Sequence, residues 1–233
     1  MALPKQSSPK YTCTLPSDGR EVTYRPFLVK EQKVLMLAQE QEDDTAMFKA
    51  VQDLIESVTD GEVKPKNLPV IDMEYLFVKI RAKSVGETAN IRVTCQDPNC
   101  EGSGQAVVNL DDVEVVGEHP DNKIMISDEL GVELRYPKIS DVDAVQELDG
   151  AAQTIEMLKN SIVTVFDSEE VYPTVDVSTN ELNEFVESLT MSQLQKITDY
   201  FDAIPSLQTE VTSSCETCSS PIKTTVKGLN SFF

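Results

Sequence analysis

The order of apolar and polar positions divides the first third of the chain into an extended arm and a helical part. The stretch YTCTLPSDGREVTYRPF has two short β-type runs around a Pro-Ser-Asp-Gly turn, which predicts a small hairpin. Apolar residues then recur at helical spacing in VLMLA and in MFKAVQDLIESV, with DDT between them as a helix start. The pattern predicts a β arm over 1–28 and a helical part over 29–86 that begins with a helical hairpin.

A third helix is predicted for DMEYLFVKIRAKSVGE, with Asp72 as its N-cap. Its apolar residues fall on one face, which we expect to be buried: Met73, Leu76, Phe77 and Ile80. Its cations form a basic patch on an otherwise acidic chain: Lys79, Arg81 and Lys83. The patch is either solvated charge that balances nearby acids or a docking site for an acidic partner or a neighbouring copy of the chain.

The apolar period changes to two residues in the middle of the chain and again at its end. Residues 87–137 predict β hairpins, the first with VTCQDPNC at its turn and the next with DELG. Residues 138–205 return to helical spacing with a break near Gly150. Ser178 or Thr179 is the expected cap of one helix, and a further helix is expected to begin near Thr190 and to end at Pro205. Residues 206–233 predict a second cysteine hairpin and an apolar tail. The sequence thus predicts an α+β fold in a single domain over 1–233.

The net charge of the chain limits which partners it can bind. Its 233 residues hold 40 acidic and 20 basic side chains, a formal net charge of −20. Such a surface repels phosphate backbones and anionic lipid, so we predict neither nucleic-acid nor membrane binding. No run approaches the ~18 apolar residues of a membrane-spanning helix, and the N-terminus lacks the apolar core of a signal peptide. The acidity indicates either solubility alone or attraction to a basic protein partner.

Four of the five cysteines occur as two pairs, Cys95 with Cys100 and Cys215 with Cys218, each at the tip of a predicted hairpin. Two thiols from each of two hairpin turns are a common way to supply the four ligands of tetrahedral zinc. The spacing therefore favours a structural zinc-ribbon-like site. Such a site would tie the end of the chain to its middle, which also favours one domain. Cys13 stands apart and is predicted to be a small buried apolar residue.

Other interpretations of the cysteines remain open. A thioredoxin-type redox pair belongs at the start of a helix, whereas CETC is followed by the β-type run SSPIKTTV. Disulfides fit poorly with a chain kept in a reducing cytoplasm. An iron–sulfur cluster also takes four cysteines, although its usual spacings differ. Cysteines without metal are the remaining alternative.

The chain shows few of the side chains that catalysis needs. Its single histidine, His119, lies beside a proline in a polar turn and is predicted to be a loop residue. The glycines of EGSGQ neither open a helix nor precede a P-loop lysine, and no acidic cluster matches a calcium loop. We therefore predict an interaction protein and no enzyme.

Several stretches resemble the baseplate hub and hub-assembly proteins of T-even-type contractile-tailed bacteriophages. The resemblance is carried by YRPFLVKEQKVLMLAQE, by LPVIDMEYLFVKIRAKSVGE and by the two cysteine hairpins. It implies a non-enzymatic hub subunit or assembly factor in the virion tail baseplate, or in the host cytoplasm during assembly. The implied partners are other baseplate hub proteins, with a second copy of the chain as a further candidate.

Two other classes of function compete with this one. The first is a cytoplasmic zinc-ribbon adaptor or regulator of a nucleic-acid enzyme, whose knuckles normally carry Arg, Lys and aromatic residues. Here the knuckles are QDPNCEGSGQ and ETCSSPIK, with Lys223 as their one cation. The second is a redox enzyme, which requires an exposed thiol of low pKa.

Overall fold

The computed structural model describes residues 8–41 and 44–228. Within that part of the chain, helices and strands alternate in an α+β fold, as predicted. The helices are α1 (Val29–Glu40), α2 (Asp44–Val58), α3 (Val70–Ser84), α4 (Ile139–Ala144), α5 (Gly150–Ser161), α6 (Thr179–Ser188) and α7 (Met191–Asp202). The strands are β1 (Tyr11–Thr14), β2 (Glu21–Tyr24), β3 (Thr88–Thr94), β4 (Ser103–Asn109), β5 (Glu114–Val116), β6 (Lys123–Met125), β7 (Leu130–Leu134), β8 (Ile162–Asp167), β9 (Val171–Pro173), β10 (Ser206–Ser214) and β11 (Pro221–Lys227).

The strands form four small antiparallel sheets in the described residues. Two are the hairpins β1-β2 and β3-β4, and the others have the orders β11-β10-β5 and β6-β7-β8-β9. The predicted hairpins at residues 11–24, at the two cysteine turns and at DELG are all present. Strand β5, which precedes β10 by about ninety positions, is added to the second cysteine hairpin through pairs such as Leu207 with Val115.

The chain divides into two compact units. The first comprises Met1–Pro65, Ile71–Val116 and Ser206–Phe233, and the second comprises Lys66–Val70 and Gly117–Pro205. The first unit therefore holds both cysteine hairpins, although they are far apart in sequence. Whether the two units unfold together as the single domain expected from the sequence stays a prediction.

The helices of the first unit bury the residues that their periodicity indicates, with one exception. The predicted stripe of α3 is fully buried, with Met73, Leu76, Phe77 and Ile80 each 0% exposed. On α1, Leu35 and Ala38 are buried, whereas Val34 and Leu37 are 50% and 58% exposed. The apolar stripe expected on α1 is therefore only partly buried, because Val34 and Leu37 face solvent.

Asp72 does not cap α3 as the sequence predicted. The helix starts two residues earlier, at Val70, and Asp72 is 1% exposed inside its first turn. Its carboxylate accepts hydrogen bonds from the Ser17 N–H at 2.9 Å and from the Ser17 hydroxyl at 2.5 Å. Burial raises the pKa of Asp72, and these hydrogen bonds partly oppose that effect. The residue joins the turn between β1 and β2 to α3.

In the second unit the cap predicted at Ser178 and the helix start predicted near Thr190 are confirmed, but one predicted helical stretch is a strand. Ser178 accepts a hydrogen bond from the N–H of Glu181, and Thr190 from that of Gln193. Residues 162–167, IVTVFD, form β8 between β7 and β9. β-branched residues favour strands, and pairing on both edges outweighs the helical spacing that continues from α5.

One local arrangement occurs in both units at the point where a strand is followed by a helix. In the first unit, Arg25 follows β2, and its guanidinium donates two hydrogen bonds of 3.0 and 2.7 Å to the Glu31 carboxylate. Glu31 also accepts from the Leu28 N–H at 2.6 Å, which holds the start of α1. The Arg25 N–H donates to the Val58 carbonyl at the end of α2. We call this network the first junction.

The second unit repeats the network with different residues. Arg135 follows β7 and binds Asp141 through hydrogen bonds of 2.6 and 3.0 Å. Asp141 accepts from the Lys138 N–H at 2.7 Å, and the Arg135 N–H donates to the Ser161 carbonyl at the end of α5. We call this network the second junction. Each unit thus contains a hairpin, an arginine and two helices in the same order, a repeat that the sequence analysis missed.

Candidate metal centre

Both cysteine pairs lie in turns whose backbone is closed by hydrogen bonds. In the β3–β4 turn the Cys95 N–H donates to the Gly102 carbonyl and the Cys100 N–H to the Asp97 carbonyl, each at 2.9 Å. In the β10–β11 turn the Cys215 N–H donates to the Ser220 carbonyl at 2.9 Å. Ser219, directly after Cys218, has a φ of 60°, a left-handed conformation that reverses the chain there. The two turns present their thiols from fixed backbones.

The structure brings all four predicted ligands together. Their sulfur atoms lie within 4.8 Å of one another. The Cys95 Sγ is 3.6 Å from the Cys218 Sγ, and the Cys100 Sγ is 3.8 Å from the Cys215 Sγ. Each short contact joins the first cysteine of one pair to the second cysteine of the other, across 123 and 115 positions of sequence. The four cysteines therefore form one cluster and could hold a metal ion.

The sulfur–sulfur distances match a tetrahedral ion better than they match disulfides. A Zn–S bond is about 2.3 Å, so neighbouring sulfurs of a ZnS4 tetrahedron lie about 1.63 times that far apart, about 3.8 Å. A disulfide needs about 2.05 Å, and none of the five cysteines forms one in the described residues. The donor set, four sulfurs around one centre, suits Zn²⁺.

Two glycines of the EGSGQ stretch let the hairpins approach closely. A Cβ at Gly102 would lie 2.6 Å from the Thr217 Oγ1 and 2.7 Å from the Cys215 Sγ. A Cβ at Gly104 would clash with the Ser214 carbonyl oxygen. Any side chain at either position would push the hairpins apart. These glycines thus have a structural role at the cluster that their sequence context did not indicate.

Hydrogen bonds between the hairpins fix their relative position near the cluster. The Glu216 N–H donates to the Ser103 carbonyl at 2.9 Å, so the second cysteine turn is tied to the first residue of β4. The Ser213 hydroxyl donates to the Gln105 carbonyl at 2.5 Å. On the other side, the Gln96 side-chain amide donates to the Lys223 carbonyl at 2.8 Å. The arrangement of the four thiols is therefore supported by neighbours outside the cluster.

Nearby donors divide the thiols into two classes by pKa. Hydrogen bonds from the Ser220 hydroxyl and N–H lower the pKa of Cys218 to about 6, and the N–H groups of Cys218 and Thr217 lower that of Cys215. The Gly102 N–H also favours the thiolate of Cys100, but the neighbouring Cys218 and burial outweigh it and raise the pKa of Cys100 to about 12. The Asp97 N–H similarly fails to offset burial and the neighbouring sulfurs at Cys95, whose pKa is raised.

The physical reason for this division is hydrogen bonding among the four sulfurs, in which the thiols of Cys95 and Cys100 keep their protons beside Cys215 and Cys218. Two thiolates stabilised by N–H and O–H donors make ionisation of the other two unfavourable at contact distance. A divalent cation at the centre removes that penalty, and metal binding then releases the remaining protons.

The other predicted residues lie outside the cluster. Cys13 is half-buried, whereas the sequence predicted a buried residue, and its partial burial raises the pKa of its thiol to about 11. The Nδ1 of His119 is 2.5 Å from the Tyr136 hydroxyl, and the two rings stack with centroids 5.9 Å apart. The apolar tail residues Leu229, Phe232 and Phe233 lie outside the described residues.

The fold and the site together define an α+β protein with a ribbon-like cluster of four cysteines that could bind a metal. The chain belongs to the T4 bacteriophage base plate protein family, whose model matches residues 8–233. No curated protein and no solved structure matches it. In the part of the chain that the structure describes, no helix is both long enough and apolar enough to cross a membrane. The family match confirms the predicted phage baseplate identity.

Proposed function

We propose that this protein is a structural or assembly component of the baseplate hub and that it acts through protein–protein contacts without catalysis. The observation that carries the proposal is the family match over residues 8–233. The resemblance of YRPFLVKEQKVLMLAQE and LPVIDMEYLFVKIRAKSVGE to hub and hub-assembly proteins supports the narrower assignment to the hub. Its place of action is then the virion tail baseplate or a baseplate precursor.

The four-cysteine cluster serves this role as a structural zinc site, with Cys95, Cys100, Cys215 and Cys218 as ligands. Four protein sulfurs fill a tetrahedral coordination sphere and leave no open position for water or substrate, which is the arrangement of a structural site. Its separations of 3.6 and 3.8 Å support a single ion. The metal closes loops of more than a hundred residues, so it holds together parts of the first unit that the sequence leaves far apart.

The hub assignment is tested by locating the protein among assembly intermediates. An affinity-tagged chain is expressed during infection by a phage that lacks the gene, and baseplates, central hubs and finished virions are separated by sedimentation and analysed by mass spectrometry. We expect the chain in hub fractions at a fixed ratio to other hub proteins. Its presence only in peripheral baseplate fractions would contradict the hub assignment and leave the family membership intact.

The metal is tested independently of the hub. Elemental analysis of the purified chain should find one zinc per chain, and Cys218→Ser should remove it. Cys13→Ser is the matched control, because Cys13 is outside the cluster, and it should retain the metal. A chain that folds without any metal and whose melting ignores chelators would overturn the zinc assignment.

A further inference from the structure

A small cavity opens between α1, α2 and α3 in the first unit, away from the cysteine cluster. Its volume is about 130 Å³. Among the residues that the structure describes, its wall consists of apolar and neutral polar side chains and one cation: Phe27, Gln32, Leu35, Met36, Gln39, Met47, Phe77, Arg81 and Val85. Met36 and Val85 at this cavity are 53% and 57% exposed, so the apolar wall continues to the surface.

Arg81 is the charged residue of this wall, and part of its guanidinium is both buried and unsatisfied. Its Nη1 is shielded from solvent and has no hydrogen-bond partner within residues 8–41 and 44–228. Burial lowers the pKa of Arg81, which shows that its surroundings disfavour the charge. Buried donors normally have partners, and a guanidinium without one destabilises the isolated chain.

The neighbouring cations of α3 differ from Arg81 in this respect. The Lys79 ammonium lies 5.2 Å from the centroid of the Tyr75 ring. The Lys83 ammonium is 3.1 Å from Glu87 and 3.9 Å from Asp111. The basic patch expected from the sequence is therefore not a uniform surface, because two of its members have local partners. The third, Arg81, is at the wall of the cavity and has an Nη1 without a partner among the described residues.

We propose that this cavity binds an apolar segment of another baseplate protein, and that an Asp or Glu carboxylate of that segment pairs with Arg81. A carboxylate matches the planar guanidinium in two parallel hydrogen bonds, which gives both affinity and orientation. Apolar side chains beside the carboxylate would cover Met36 and Val85 and exclude water from the pair. The proposal rests on membership of the baseplate family and does not depend on a position in the hub.

The first test separates the stability of the isolated chain from its association with baseplates. Arg81→Met keeps the length and the apolar stem of the side chain but removes the unsatisfied donors. We expect its melting temperature to rise by about 2–4 °C, while its recovery in baseplates falls at least tenfold. Lys83→Met is the matched control: it removes one positive charge from the same helix, and its recovery should stay within about twofold of the wild type.

Two results of this test would overturn the inference. One is unchanged recovery of Arg81→Met in baseplates, and the other is a lower melting temperature, which would show that Arg81 has a stabilising partner inside the chain. If the wild-type chain is found in peripheral baseplate fractions and Arg81→Met is lost from them, the hub assignment fails and this inference stands.

The second test identifies the chemical class of the partner group. Arg81→Lys preserves the charge and adds an amine, so a carbodiimide can join it to a carboxylate in direct contact. In isolated baseplates we expect mass spectrometry to find position 81 joined to an Asp or Glu of a different protein. A bond to an acid of the same chain, such as those at 42–44, or to a second copy would overturn the inference. So would the absence of any bond in baseplates that contain the variant.

The third test asks whether the chain's own tail occupies the cavity. Methyl NMR signals of Met36 and Met47 report on the cavity wall. Deletion of residues 229–233 should leave both signals unchanged in the isolated chain. A shift of both signals on deletion, without a general change in the spectrum, would assign the cavity to the tail and contradict a binding site for another protein.

Discussion

The first and second junctions have the same backbone plan but lie in units that are stabilised differently. In both, an arginine six residues before an acid joins a strand end, a helix start and the end of a second helix. The second unit relies on an apolar cluster that includes Val132, Leu134 and Ile162. The first unit adds the four-cysteine site. The same local network is therefore combined with two different ways of holding distant segments together, an apolar cluster and a four-cysteine site.

The junctions also differ in how the arginine is surrounded. The side chains of Arg25 and Glu31 are 16% and 10% exposed, whereas those of Arg135 and Asp141 are 29% and 8% exposed. The first junction includes an additional side chain, because the Ser57 hydroxyl donates to Glu31 at 2.8 Å. The position equivalent to Ser57 is Asn160, which offers its backbone carbonyl to Arg135 at 2.6 Å. The arginine of the first junction is thus less exposed than that of the second, and the acid of the first junction has an additional hydrogen-bond partner in Ser57.

Metal removal should produce the largest difference between the units. Structural zinc in small sites contributes an apparent binding free energy of about 10–16 kcal/mol. With a high-affinity chelator or with Cys218→Ser, we expect amides of β3, β4, β10 and β11 to lose at least 100-fold in hydrogen-exchange protection, while β7 and β8 keep theirs. Cys13→Ser should change neither set. Equal loss in both units would instead indicate the single cooperative domain that the sequence predicted.

Removal of each arginine tests the two junctions directly. Arg25→Met leaves Glu31 buried without its cation, and we expect a loss of about 3–5 kcal/mol in the free energy of unfolding. Arg135→Met should cost less, about 1–3 kcal/mol, because solvent reaches the second arginine more easily. Urea unfolding measures both. The double variant Arg25→Met/Glu31→Leu serves as control, because removing both charges should recover most of the loss.

The first junction should also respond to acid. Burial by itself raises the pKa of Glu31, but hydrogen bonds from Arg25, the Leu28 N–H and Ser57 outweigh it and lower the pKa from 4.5 to about 2. The ionised form is therefore preferred in the folded state, so its contribution is complete above pH ~4.5 and is lost as the pH falls toward 2. The shift corresponds to about 3 kcal/mol.

This pH dependence is measured by urea unfolding at several pH values between 6 and 2.5. Glu31→Gln cannot ionise and should be less stable than the wild type at pH 6, with the difference shrinking as the pH falls. A constant difference across this range would show that the carboxylate charge does not stabilise the first junction.

Gly102→Ala should affect the first unit only, because Gly102 and its close neighbours all belong to that unit. The added methyl would enter space now held by the Thr217 Oγ1 and the Cys215 Sγ, so the two hairpins must separate by several tenths of an ångström. We expect zinc affinity to fall about 10–100-fold, the range seen when groups around metal ligands are altered. Competition with a chromogenic chelator measures it. Glu101→Ala is the control at the exposed neighbouring position and should bind zinc normally.

The smallest expected difference comes from the extra hydroxyl of the first junction. Ser57→Ala removes one hydrogen bond to a buried carboxylate and should cost about 1 kcal/mol in the free energy of unfolding. Asn160→Ala at the equivalent position keeps the backbone carbonyl that Arg135 uses, and we expect a change within about 0.5 kcal/mol. Equal effects at the two positions would contradict the difference drawn between the junctions.

The features that depend on neighbouring residues could be predicted from the sequence. The hairpin turns, the cap at Ser178, the helix start near Thr190, the buried stripe of α3 and the placing of each cysteine pair in a turn all follow from spacings of two to five positions. Such spacings decide which backbone groups can bond to each other and which side chains share a face. The α+β class followed from these local patterns.

Tertiary packing sets which distant parts of the chain meet. It paired Cys95 with Cys218 and Cys100 with Cys215, placed Asp72 against Ser17, and made residues 162–167 a strand against β7. It also placed Arg81, unlike Lys79 and Lys83, at the wall of a cavity. Contacts across about thirty to more than a hundred positions leave no periodic signal in one sequence. They are selected by the burial of surfaces, by the close approach that glycines such as Gly102 permit, and by the satisfaction of buried polar groups.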